Sequence, residues 1–104
     1  MALIPIDTLR RQVLHILKKT DPPGGVELLT YKRDRSITLV CMENNRYRVL
    51  ECGFEEYETL VDSAHLSRVL KIMIKREFPR SRKVRLIRFS SPQELQRPRQ
   101  RITI

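Results

Sequence analysis

A chain of 104 residues, 40% hydrophobic and 32% charged, fits one domain with a core that needs no disulfide or metal, and is too short for two. Lys and Arg number 21 against 12 Asp and Glu, a net charge of +9, which points to a polyanionic partner such as nucleic acid, a ribosome or an acidic membrane surface. Three Gly and six Pro exclude a collagen-like or low-complexity chain, and no apolar run approaches the ~18 residues of a membrane span.

The first segment, MALIPIDTLRR, lacks the charged start and long apolar stretch of a signal peptide, so a soluble cytoplasmic protein is expected. Residues 5–20 carry Ile6, Leu9, Val13, Ile16 and Leu17 at steps of three and four, which predicts an amphipathic helix. Pro5 suits the first turn, Asp7 its positive end, and Lys18 and Lys19 its negative end. Thr20-Asp21-Pro22-Pro23-Gly24-Gly25 then makes a loop.

Strands are predicted over 26–32, 36–42 and 46–52. The first two are joined by Arg33-Asp34-Arg35. The next two are joined by Glu43-Asn44-Asn45, where Asn tolerates positive φ. Ile37, Leu39 and Cys41 alternate with Thr38, Val40 and Met42; both faces are fairly apolar, as in a central strand. Tight turns in succession imply an antiparallel meander. Gly53 marks a bulge or bend. Residues 54–61 alternate again and either prolong the third strand or form a fourth, with helix as the rival for their second half.

A second helix is predicted over 64–78, with Ser63 as N-cap and a buried stripe of Leu66, Val69, Leu70, Met73 and Ile74 closed by Phe78. Pro79 ends it. Lys83–Phe89 reads as a last strand. Residues 1–89 thus form a single α+β domain of order α-β-β-β-(β)-α-β. Its antiparallel sheet has three to five strands, with two helices packed on one face. Residues 90–104 read as a basic tail, flexible or ordered on binding, in which Ile102–Ile104 can add as an edge strand.

The charge is located. Residues 71–104 hold eleven bases and two acids, a difference equal to the whole net charge, while residues 51–63 hold five acids and no base. Arg68, Lys71 and Lys75 share one helix stripe, because steps of three and four share a face. Arg76, Arg80, Arg82, Lys83, Arg85 and Arg88 extend the cluster. These nine are the candidate phosphate contacts, holding a nucleic-acid backbone without reading its sequence. Arg11, Lys18 and Lys19 add charge on the first helix. Tyr31, Tyr47 and Phe89 are the rings that could stack on bases, although each also suits packing in the core.

Catalytic chemistry finds little support. Cys41, Cys52, His15 and His65 lack zinc spacing, and the cysteines read as small core residues, with a bridge open to them if their strands pair. No nucleophile elbow, P-loop or dinucleotide fingerprint occurs. The element order matches the core of many metal-dependent nucleases, and Asp34 could begin such a site, but Glu51-Cys52-Gly53 lacks the lysine two residues on. Glu51, Glu55, Glu56 and Glu58 read instead as solvated carboxylates. Helix–three strands–helix is also the layout of double-stranded RNA-binding domains, yet the turn Ser63-Ala64-His65-Leu66 is nearly uncharged; the likeness is one of layout alone.

The reading is a small, basic, non-enzymatic nucleic-acid-binding protein, RNA or ribosome-associated ahead of sequence-specific DNA, with no cofactor, metal or membrane partner. The first rival is a dimeric interaction module that joins acidic to basic patches, or pairs through the sheet face or the C-terminal tail. The second is a divalent-metal nuclease.

Overall fold

The periodic segments of the sequence become eight elements in a computed structural model that describes residues 2–30, 35–53 and 56–91. They are β1 (Ala2–Pro5), α1 (Ile6–Lys18), β2 (Gly25–Leu29), β3 (Ser36–Met42), β4 (Arg46–Cys52), β5 (Glu56–Asp62), α2 (Ser63–Glu77) and β6 (Lys83–Phe89). Tyr31, Asp34, Phe54, Glu55 and the tail from residue 92 onward, Ile102–Ile104 included, lie outside the described residues.

Among the described residues the sheet has six strands, in the order β1-β6-β2-β3-β4-β5, and each neighbouring pair is antiparallel. The α+β class is as expected; the strand count is not. The additional strand is β1, four residues paired from Ala2↔Leu86 to Pro5↔Lys83. Proline cannot donate to a ladder and is tolerated at an edge. Pro5 therefore closes the edge strand and serves as N-cap of α1 in extended conformation, instead of opening the first helical turn. The Ile6 N–H donates to the Arg82 carbonyl at 2.8 Å, so one residue ends β1, starts α1 and fixes both beside the start of β6.

Residues 56–62 settle as a separate strand, β5, at the opposite edge. The β3–β4 turn is as expected: Asn44 and Asn45 have φ of 63° and 58°, the paired positive angles of a two-residue hairpin. The N-cap of α2 is Asp62, whose Oδ1 accepts from the His65 N–H at 3.2 Å, rather than Ser63. The Ser63 N–H instead donates to the Asn45 carbonyl, which seats the start of α2 on the β3–β4 turn.

Leu9, Val13 and Leu17 of α1 and Leu66, Leu70, Met73 and Ile74 of α2 join Val26, Leu28, Ile37, Leu39, Val49, Val84 and Leu86 in one buried cluster. Strand side chains alternate between faces, and these strand positions all share one face, so both helices cover the same side of the sheet. On the other side Leu29, Val40 and Phe89 are buried, with Glu27, Ser36 and Thr38 among them. The middle of the sheet is thus buried on both faces, and β3 is the central strand its two apolar faces predicted. Gly25 is part of that tightness: a Cβ there would lie 1.9 Å from the Leu39 carbonyl oxygen and 2.9 Å from Phe89 Cζ.

The helices run in opposite directions. α1 begins beside Arg82 and ends at the turn where Gly24 donates to the Asp21 carbonyl, just before β2. α2 begins on the β3–β4 turn and ends where the Ser81 N–H reaches the Phe78 carbonyl, just before β6.

Candidate nucleic-acid interface

An α-helix turns about 100° per residue, which puts Arg68, Lys71 and Lys75 within an arc of about 60°. The buried residues of α2 lie on the opposite side of the helix. All three bases are exposed. Arg80, Arg82 and Lys83, also exposed, follow at the C-terminal end, where cations suit the helix dipole. Among the described residues no acid pairs with any of these six; ion pairs there include Arg48–Glu58, His65–Asp62 and Arg76–Glu51.

The other three candidates separate from this group. Arg85, and with it Lys83 two residues earlier in β6, lies on the face turned away from the helices; Arg85 is in register with Leu3 and Leu29. Arg88 lies at the far end of β6, five steps or about 17 Å from Lys83 at 3.3–3.4 Å per residue. There it lines an open hollow of about 500 Å³ with Lys19, Asp21, Gly24 and Phe89.

Arg76 is committed inside the fold. Its Nε donates to Glu51 Oε2 at 2.7 Å and its Nη2 to Oε1 at 2.6 Å, the bidentate fork that matches a carboxylate. Glu51 is 2% exposed and Glu77 1%, so the expectation of a solvated Glu51 is corrected. The β4 position that looked like part of an acidic surface run faces inward under the last turn of α2. Burial pushes the Glu51 carboxyl up, but hydrogen bonds from Arg76 and Glu77, with the guanidinium charge, outweigh it and hold the group below the ordinary glutamate range. Arg35 Nη1 donates to the Glu77 carbonyl at 3.3 Å. Gly53 completes the pocket: its φ is +153°, and a Cβ there would lie 2.6 Å from Glu77 Oε1. The acidic block and the basic block therefore meet within one chain, at Glu51 and Arg76.

The rings take structural places. Tyr47 packs against the core, where burial, followed by the nearby Cys41, raises its hydroxyl pKa. Phe89 is buried opposite Gly25. Tyr57 is the exposed ring among the described residues, and it sits on β5 in register with Glu51. The cysteines are both free. β3 and β4 do pair, but Cys41 faces Tyr47 and Cys52 faces Ser36, at opposite ends of the ladder. Burial raises the Cys41 thiol pKa, with Asp21 adding to it, which makes it a poor nucleophile.

Among the described residues no cluster of three or more His, Cys, Asp or Glu could hold a metal, and no helix is long and apolar enough to cross a membrane. No family model, curated protein or solved structure matches the chain.

Proposed function

We propose that this chain is a non-enzymatic nucleic-acid-binding protein that grips the phosphate backbone through α2 and the loop that follows it. The observation that carries this reading is the set of exposed bases that pair with no acid among the described residues: Arg68, Lys71 and Lys75 on one stripe, continued by Arg80 and Arg82. Long cationic side chains that no described acid engages keep their charge for an outside partner, and each phosphate they neutralise releases a counterion. Lysines dominate the centre of the stripe, and a lysine acts on phosphate as a point charge without bidentate base readout. The partner is therefore held by its backbone, independently of sequence.

Fluorescence anisotropy with labelled RNA and DNA over a salt series tests this. The expected result is binding at low salt whose log affinity falls linearly with log salt, with a slope of about −3 to −5 for four to six phosphates. Lys71→Gln/Lys75→Gln should make that slope shallower by about 2. Binding that ignores salt, or no binding to either nucleic acid at low salt, refutes the reading.

A further inference from the structure

The strands of this fold bring α1 alongside α2, and that places a second row of bases beside the first. Arg11 and Lys18 are exposed on α1, seven residues apart and so on nearly one line of the helix, opposite the buried Leu9, Val13 and Leu17. They lie on the same outer surface as the α2 stripe, because both helices cover one face of the sheet. Helices packed side by side keep their axes about 8–10 Å apart. The one acid in α1 is Asp7, in its first turn, and the one acid in α2 is the buried Glu77. The helix layer thus presents two antiparallel basic rows with a narrow gap between them.

We propose that this layer binds double-helical nucleic acid, each helix taking one of the two phosphate rows that border a groove; this rests on the phosphate-binding reading above. Three observations point to a duplex over a single strand. Arg11 to Lys18 and Arg68 to Lys75 each span about 10 Å at 1.5 Å per residue. Each strand of a duplex winds around its axis, so a row of this length follows a short run of phosphates along one strand. Two rows are redundant for one flexible strand but match the two backbones flanking a groove about 6–12 Å wide. Finally, single-strand binders offer rings for bases to stack on, and neither helix contains a Phe, Tyr or Trp.

Anisotropy with a 20-base-pair RNA duplex, a 20-base-pair DNA duplex and their separate strands, all at equal phosphate concentration, decides it. At least one duplex should bind about tenfold or more tightly than its own strands. Arg11→Gln/Lys18→Gln should weaken duplex binding and make the salt slope shallower by about 2, as Lys71→Gln/Lys75→Gln does. Arg11→Lys/Lys18→Arg should retain both affinity and slope, and circular dichroism confirms that each variant is folded. If the separate strands bind as tightly as the duplexes, or if the α1 variant binds as the wild type does, the two-row grip is wrong while phosphate binding by α2 stands. If no nucleic acid binds at low salt, both readings fall together.

Discussion

Lys75 and Arg76 are neighbours in sequence and belong to different regions of the molecule. Lys75 stands on the outer surface of α2 with no acid partner among the described residues. Arg76, one residue on, is turned through about 100° and clamps the buried Glu51. The outer stripe consists of cations held in water, where their charge costs the fold little. The inner pocket consists of Arg76, Glu51 and Glu77, and there the Glu51 charge is met by the Arg76 guanidinium within the fold. One basic cluster in the sequence thus separates into charge that holds the protein together and charge that remains for a partner. The two should respond to substitution in opposite ways.

The largest effect is expected at the inner pocket. Removing one partner of a buried ion pair leaves the other charge uncompensated, at about 3–5 kcal/mol for a fully buried pair. The Arg76 side chain retains 34% exposure, which softens this, so Arg76→Ala should cost about 2–3 kcal/mol. A urea midpoint shift with unchanged slope reports it. The affinity of the folded protein for nucleic acid should change little. A variant of full stability would mean that the fork is ornamental and that Arg76 belongs with the outer stripe.

Lys71→Ala/Lys75→Ala is the mirror experiment. Surface substitutions away from caps and cores stay within about 0.5 kcal/mol, so unfolding should hardly move, while the loss of binding should be the larger of the two variants' losses. If this double variant unfolds at clearly lower urea, the stripe has structural partners and the comparison fails.

How much of this was legible in the sequence depends on the range over which each feature is decided. The boundaries of β3, β4 and β6 follow from alternation, and the Asn44-Asn45 turn from the tolerance of Asn for positive φ. These are local properties. β1 is only four residues long, too short to show a period, and it becomes a strand because β6, some eighty positions away, offers it an edge. Glu51 looked solvated because its chain neighbours are acidic. Its burial is set by where α2 crosses β4, and that in turn by the Asp62 cap and the Ser63–Asn45 hydrogen bond. The α2 stripe, and the absence of Arg76 from it, could be read from steps of three and four, but the partner of Arg76 could not, since nothing local distinguishes a guanidinium aimed at water from one aimed at a buried carboxylate. Its proximity to the α1 row likewise required the fold.

The inner pocket also predicts a pH dependence that the outer stripe does not. Glu51 titrates below its ordinary value in the fold, so the unfolded chain binds its proton first. The stabilisation is present at pH above the unfolded value, about 4.3, and is lost as pH falls through the lower folded value. Thermal unfolding followed from pH 6 to pH 3 should therefore drop in the wild type below about pH 4.5. Glu51→Gln, which cannot titrate, should start less stable and fall less steeply. Parallel curves for the two proteins would remove Glu51 as the source.

The smallest effect sharpens the comparison from the other side. Arg48 and Glu58 also form an Arg–carboxylate pair, on neighbouring strands β4 and β5, but their side chains are 45% and 51% exposed. Geometry alone would rank this pair with Glu51–Arg76. Solvent decides otherwise: an exposed pair gains little in high dielectric, gives up side-chain freedom and is screened by salt, for a net of about 0.2–1 kcal/mol. Glu58→Gln should cost about 0.5 kcal/mol or less at low salt, and nothing measurable at 0.5 M. The cost of Glu51→Gln should persist at both, because screening hardly reaches a buried pair. Equal salt sensitivity of the two losses would show that water reaches Glu51, and that the pocket under α2 is less closed than its exposure of 2% implies.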